Sequence, residues 1–386
     1  MKSERILLVK PSEGNDISFH PPIGLWSIRS NAPWPREIRV LDVHLEGESA
    51  LPTNERFDVI GFSVQFGTQE PSFRRMLPWA QAHTDRILVG GPFGSTLWSS
   101  EFLTFKGDGE TVFGGKRFPE GNYAMFNRDE LEPYWELNKP HNSKSKTNRW
   151  LPVETSRGCA RHCGFCYSPS YWGPWRPRSI EQLRDFFSYV QHRDVEELIV
   201  EDDAVNTSKE RFLQIIDALK ARKLFWSLPN GMVCRNLDEQ VMRALENSRL
   251  WRIHLPFETG SRKTADLMSL GNKWLEQSEA FNLTKWFNAM GTETCGSFVI
   301  GWPGETEDDV KRTFDFIESL PLKDTHLHIA QPYAGTPLRA YVEEKGWLKR
   351  EPDAWVIPSI ETPWLSASRL VELRSEFNAH MASMGR

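Results

Sequence analysis

The sequence is short of cysteine, with five in 386 residues. Cys234 and Cys295 stand alone, and Cys159, Cys163 and Cys166 share one short stretch. No apolar run is long enough to span a bilayer. The N-terminal MKSERILLVKPSEG has an apolar core only over residues 6–9, too short for a secretory leader, and reads better as a buried strand. The expectation is a cytoplasmic protein with no membrane association, where thiols stay reduced and clustered cysteines bind metal more often than they pair. A net charge of −5 excludes a polycation built for nucleic acid. Solenoid repeats and low-complexity tracts are absent.

What is present fits a globular chain of two domains, 39% hydrophobic and 26% charged. The 16 tryptophans are expected mainly in cores and interfaces. Basic residues gather around the cysteines: Lys144, Lys146 and Arg149 before them, Arg157 and Arg161 beside them, Arg176 and Arg178 after them. They read either as a solvated loop and helix start or as a cationic rim around an anionic ligand.

Short β-branched runs at 5–10, 38–43, 57–64 and 86–91, with a fifth strand over 102–110, alternate with helical lengths. This predicts a doubly wound α/β domain over residues 1–117, with ligands beyond the carboxyl ends of its strands. Residues 118–149, rich in Pro, Asn, Lys and Ser, read as a linker. From 150 the rhythm resumes. Strands are expected at LPVETSR, ELIVEDD, LFWSLPNG, RIHLPFETG, SFVIGWPG and HLHIAQPYAG. Between them lie helices such as 179–193, capped by Ser179, and one opened by a Thr306–Asp309 capping box. Six β/α units over 150–338 predict a partial (β/α)6 barrel with its active site at the C-terminal ends of the strands. A short helical region, 339–386, ends the chain, with an amphipathic helix near 367–381.

Cys159, Cys163 and Cys166 lie in CARHCGFCY, spaced C-x3-C-x2-C, just after the first barrel strand. Four cysteines would close a [4Fe–4S] cube, whereas three leave one iron open to another ligand. The alternative is a zinc site with His162 as fourth ligand, but zinc prefers paired motifs far apart in sequence. Cys234 and Cys295 read as ordinary buried thiols.

This spacing after a first barrel strand resembles the radical S-adenosylmethionine (radical SAM) superfamily, and further elements follow in order from about 151 to 338. The resemblance implies a [4Fe–4S] cluster on Cys159, Cys163 and Cys166, with AdoMet on the open iron. It places Phe165 near the adenine and Asp202 and Asp203 of VEDDAV near the amino group, with Tyr167 also in contact with AdoMet. Glu258 of RIHLPFETGS lies near the ribose, although Pro256 and Thr259 replace the usual glycine and serine. Gly301, Pro303 and Gly304 of GSFVIGWPGET also border AdoMet, and QPYAGTPL is similar to the element that follows.

The first domain resembles the cobalamin-binding domain of cobalamin-dependent radical SAM enzymes. The likeness rests on HPPIGLWSI, DVIGFSVQFGT, LVGGPFGST and KGDGE, with Phe93 and Gly94 replacing a usual His-Pro. It implies cobalamin contacts from Ser63, Gln65, Thr68, Gly90, Gly91, Gly107, Gly109 and Glu110. Residues 42–47 read D-x-H-x-x-G, which elsewhere supplies a histidine to cobalt. Here the motif follows the second strand and reads as coincidence, so cobalamin is expected without a histidine ligand. The cysteine-free first domain argues against the methylthiotransferases, whose own N-terminal domain carries a second cluster.

The resemblance implies a cobalamin-dependent C-methyltransferase that uses a 5′-deoxyadenosyl radical and methylcobalamin at an unactivated carbon. The alternative on the same parts is a radical rearrangement, cyclisation or oxidation with cobalamin absent or non-methylating, motivated by the altered PFGS segment. A zinc-stabilised binding module is the non-enzymatic reading. The expected partners are a small-molecule substrate, phosphorylated or nucleotide-like if the basic residues form a rim, and an electron donor such as flavodoxin or ferredoxin. A monomer is expected, and no catalytic proton donor or acceptor is legible.

Overall fold

A computed structural model describes residues 3–14, 19–33, 35–97, 102–105, 107–140, 144–352 and 357–384. The chain divides into two compact units, Met1–Arg157 with Arg176–Ile199, and Gly158–Trp175 with Val200–Arg386. Among the described residues no helix is long and apolar enough to cross a membrane.

The first unit contains a parallel sheet of β1 (Glu4–Lys10), β2 (Arg36–Asp42), β3 (Val59–Ser63), β4 (Ile87–Gly90) and β5 (Leu103–Thr104), in the order β2-β1-β3-β4-β5. Side chains alternate across a strand, and both sets on β1 are apolar, so both faces must be covered. Leu7 and Val9 pack with Phe73 and Met76 of the helix Glu70–His83. Ile6 and Leu8 pack with Leu25 of the helix Ile23–Asn31 on the other side. This is the expected doubly wound layering, in the strand order of flavodoxin-like domains.

The fifth strand is shorter than its sequence suggested. It pairs only over Leu103–Thr104, because Gly107 (φ +83°) turns the chain into a 3-10 segment, Gly109–Phe113. Lys106, part of the KGDGE motif, lies outside the described residues. The stretch read as a linker contains the helix Glu132–Leu137 and buries Phe118, Phe126, Leu131, Tyr134 and Trp135. The Tyr134 hydroxyl donates to Asp42 Oδ2 at 2.7 Å, and Lys10 Nζ donates to the same oxygen at 3.1 Å. The composition of this stretch concealed the aromatics that anchor it.

The basic cluster also differs from both of its readings. Lys144, Lys146 and Arg149 are exposed, but Arg157 and Arg178 are 5% and 4% exposed. Arg157 bonds Glu110 through both terminal nitrogens, at 3.1 and 3.0 Å, and Asp108 at 3.1 Å. Arg176 bonds Asp108 at 2.6 Å, and Arg178 bonds the Gly121 carbonyl at 2.5 Å. The Phe118 ring lies 4.4 Å from the Arg157 guanidinium carbon and 4.5 Å from that of Arg178. These three arginines therefore form no cationic rim: carboxylates engage Arg157 and Arg176, carbonyls engage Arg176 and Arg178, and the Phe118 ring lies against all three. Burial opposes ionisation of Glu110, but the Arg157 charge outweighs it and holds the carboxyl below its ordinary range.

The second sheet runs through β6 (Trp150–Val153), β7 (Glu197–Val200), β8 (Phe225–Leu228), β9 (Leu250–Glu258), β10 (Glu293–Ile300) and β11 (Asp324–Ile329), in sequential order. Its ends, β6 and β11, are not neighbours, so the six expected strands make an open, partial barrel. On its covered face Phe257 and Phe298 pack edge-on against Phe316 of the helix Glu307–Ser319. Both expected caps form: Ser179 Oγ accepts from the Gln182 amide at 3.2 Å, and Thr306 and Asp309 cap reciprocally. The last helix, Ala367–Ser383, buries Leu370, Leu373, Phe377 and Met381.

Removing one partner of a buried ion pair costs about 3–5 kcal/mol, since the other charge stays buried. Arg157→Met is therefore expected to lower unfolding stability by that amount in urea titrations. A loss under 1 kcal/mol would show that Glu110 and Asp108 are not compensated by this arginine.

Candidate active site

The three cysteines sit in a loop whose backbone leaves little freedom. Gly158 (φ +80°) opens it, and a Cβ there would fall 2.6 Å from the Gly173 carbonyl oxygen. Its amide donates to Asp203 Oδ2 at 3.1 Å. Further on, the Gly164 amide donates to the Met268 carbonyl and the Leu338 amide to the Gly164 carbonyl, both at 2.9 Å. A Cβ on Gly164 would lie 2.9 Å from the Trp302 ring. Cys163 belongs to an apolar cluster with Ala265, Met268, Trp302, Ala330 and Leu338, against which Phe165 and Cys166 pack.

Burial raises the thiol pKa of all three cysteines, that of Cys166 to about 12. Such thiols ionise readily only on a metal, which deprotonates its thiol ligands. The spacing discriminates between metals. Two thiolates on one tetrahedral zinc lie about 3.8 Å apart, given Zn–S bonds of about 2.3 Å. Among the described residues, the only trio of His, Cys, Asp or Glu whose ligand atoms all fall within 4.8 Å of one another lies elsewhere. The three sulfurs therefore do not converge as one ion requires, and His162 is exposed. A loop presenting three thiols that do not converge on one ion fits a cube of several irons.

Beside the loop lies a buried pair that was only half legible. Glu258 ends β9 with φ +68°, an uncommon conformation for a residue with a side chain, next to a register shift after Pro256. Lys273 Nζ donates to Glu258 Oε1 at 2.5 Å and lies 5.8 Å from the centroid of the Phe165 ring. Burial opposes the Lys273 charge, but Glu258, followed by Cys163, raises its pKa overall. Glu258, Phe165 and the cysteine loop thus lie around Lys273, which the sequence did not single out. Its one sequence signal is a lysine in the short turn Gly271–Lys273, between buried Leu270 and Trp274.

Other expected contacts are engaged elsewhere. One oxygen of Asp203 holds the Gly158 amide; Asp202 is buried. Tyr167 stacks on Tyr171 at 5.2 Å. Thr259 Oγ1 lies 3.0 Å from Thr313 Oγ1, so the replaced serine position serves packing. A Cβ on Gly301 would strike Leu370 at 2.4 Å, and one on Gly304 would lie 3.1 Å from Leu267. These two glycines admit neighbouring leucines. Glu305 accepts from the Gly301 and Trp302 amides, at 2.5 and 3.1 Å, and shapes the turn that carries Pro303.

In the first unit Ser63 and Gly90 end β3 and β4, with Gln65 and Thr68 exposed just beyond β3. Only glycine fits at 91: φ is +85°, and a Cβ would lie 2.4 Å from the Val64 carbonyl oxygen. Gly109 backs onto Ile28, and Glu110 is held by Arg157 and by Ser27 Oγ at 2.8 Å. These ends of β3 and β4 can receive a ligand, because sheets of this order bind at the carboxyl ends beside the switch point. His44 of the D-x-H-x-x-G segment stacks on Phe19 at 4.3 Å, and its Nδ1 accepts from the Glu13 amide at 3.3 Å.

Residues 153–317 match the model of the Radical SAM superfamily. Within it, two curated relatives are methyltransferases. The cytidylyl-2-hydroxyethylphosphonate methyltransferase of Streptomyces wedmorensis is 24% identical over 271 residues, 66% of this chain and 50% of that protein. An uncharacterized methyltransferase of Pyrococcus horikoshii is 28% identical over 191 residues, 49% of this chain and 41% of that one. The chain thus spans about half the length of these relatives or less. Its fold is that of the radical S-adenosylmethionine methyltransferase TsrM from Kitasatospora setae, solved with cobalamin and a [4Fe–4S] cluster bound. The TM-score is 0.71 at 15% identity, over 96% of this chain and 84% of that one.

Two outcomes follow from the buried charges. Lys273→Met leaves Glu258 uncompensated, so AdoMet affinity measured by calorimetry on the reconstituted protein falls at least about tenfold, or 1.4 kcal/mol. Lys273→Arg restores part of it, and unchanged affinity in the Met variant would remove Lys273 from the site. Burial pushes the Glu305 carboxyl up to about 8, against the pull of its two amide donors. A raised carboxyl stabilises the fold below its unfolded value near 4.5 and loses that contribution as pH rises through 8. Thermal melts of Glu305→Gln should therefore fall less than wild type between pH 5 and 8; parallel slopes would contradict this.

Proposed function

We propose that this protein is a cobalamin-dependent radical SAM methyltransferase acting at an unactivated carbon of a small molecule. The observation that carries the reading is the three-cysteine loop backed by Glu258 and Lys273, in a chain that also contains a flavodoxin-order sheet. When bound, the cluster and AdoMet supply a 5′-deoxyadenosyl radical for hydrogen abstraction, and methylcobalamin supplies the methyl group.

The chain's own residues hold and shield. Cys159, Cys163 and Cys166 would carry three irons and leave the fourth for AdoMet. Glu258 would orient the ribose, fixed in place by Lys273. The positive charge of Lys273 offsets the thiolates, while Met268, Trp302, Ala330 and Leu338 exclude water from the loop. Cobalamin would meet Ser63, Gln65, Thr68, Gly90 and Gly91 beyond β3 and β4. Gly107, Gly109 and Glu110 would support that surface from behind, since Glu110 is committed to Arg157. His44 follows the second strand, which favours cobalt binding without this histidine.

The substrate reading is a small phosphorylated or nucleotide-like molecule. It is supported by the name of the Streptomyces relative, which acts on a cytidylyl phosphonate. A flavodoxin or ferredoxin would supply electrons to a cytoplasmic monomer.

The test is turnover by anaerobically reconstituted protein given AdoMet and dithionite, with and without hydroxocobalamin. The expected products are 5′-deoxyadenosine in both cases and S-adenosylhomocysteine only with cobalamin. Deoxyadenosine without any cobalamin-dependent homocysteine product would favour the non-methylating alternative, and neither product would overturn the assignment.

A further inference from the structure

Three adjacent barrel strands bring together side chains that the cysteine loop and its partners do not use. His254 on β9 is the register partner of Cys295 on β10. Ser297, two residues on and so on the same face of β10, is the partner of His326 on β11. One ligand atom from each of His254, Cys295 and His326 lies within 4.8 Å of the other two. The two imidazole rings are 4.7 Å apart, at 89° to each other. Cys295 is fully buried, His254 is 7% exposed, and His326 is half-buried.

The trio faces the barrel interior, because Phe257 and Phe298 point the other way, into the helix layer. It sits four residues before Glu258 on β9, about 13 Å away at ~3.3 Å per residue. Below it Arg252 bridges Glu293 at 3.0 Å and Asp324 at 2.8 Å, which closes the floor with a compensated ionic layer. Barrel interiors are ordinarily filled by branched apolar side chains. Here one layer instead holds two imidazoles and a thiol whose ligand atoms converge.

We propose that His254, Cys295 and His326 form a second metal centre, a zinc site of two imidazoles and one thiolate with its fourth position open. On binding, Cys295 releases its proton to solvent and the ion takes its place. Parallel strands fix the three donors before the metal arrives, and the donor set is one that zinc accepts. The open position suits water or a heteroatom of a ligand. This centre shares no residue with the cysteine loop, so it can fail while the proposed function stands, and the reverse.

The experiment uses the full-length protein with its iron–sulfur cluster in place, so that the cysteine loop cannot capture zinc. Zinc chloride is added at equimolar amount, excess is removed over a chelating column, and metal is counted by mass spectrometry. Zinc K-edge absorption then identifies the ligands. The expected result is one zinc per chain with one sulfur at about 2.3 Å and nitrogen or oxygen otherwise. His326→Gln and Cys295→Ala should each lower zinc retention at least tenfold with iron content unchanged, while Cys234→Ala keeps it. No retained zinc in the wild type would overturn the proposal. So would zinc that survives both variants, or zinc whose edge shows three or more sulfurs.

Discussion

The second unit depends on one electrostatic constraint: a buried thiol, two partly buried ones and a mostly enclosed ammonium gather beside an apolar cluster. None of these groups is comfortable there alone. Burial keeps the thiols protonated, and the Lys273 charge survives because the Glu258 carboxylate pairs with it. A multi-iron cluster resolves the thiol side of the conflict, since thiolates on iron need no solvation by water. The surrounding structure serves that arrangement. Glu258 accepts a left-handed conformation to reach Lys273, and Gly164 gives up a side chain so that Trp302 can close over the loop.

The first unit solves a similar problem with opposite charges. Arg157 and Arg178 are stacked about Phe118, and the carboxylates of Asp108 and Glu110 neutralise Arg157. The motif resembling a cobalamin-binding element, KGDGE, thereby becomes a lock that fixes the segment after β5.

Legibility followed sequence distance. The cysteine loop could be read because its chemistry lies within eight residues, and the strands because each was an apolar run ending at a turn. Ser179 and Thr306 were legible as caps for the same local reason. Lys273 was not, since it meets Glu258 only after fifteen residues of helix and turn, in a segment without pattern. The arginines were misread because, apart from Glu154 beside Arg157, their carboxylate partners lie 47–49 residues away for Arg157 and 68 for Arg176. His254, Cys295 and His326 sit in three separate strands, each unremarked beside apolar neighbours until the register aligned them. That Leu370 and Leu267 pack close to Gly301 and Gly304 is likewise something no local pattern reveals.

The most direct test of this account is the cofactor content of protein purified anaerobically with iron, sulfide and hydroxocobalamin supplied. It predicts about four irons and four sulfides per chain, as a single cube requires, together with one cobalamin. Iron must disappear in Cys163→Ala while cobalamin stays. A chain that binds zinc in place of iron at the cysteine loop, or that retains its iron after that substitution, would contradict the account at its centre.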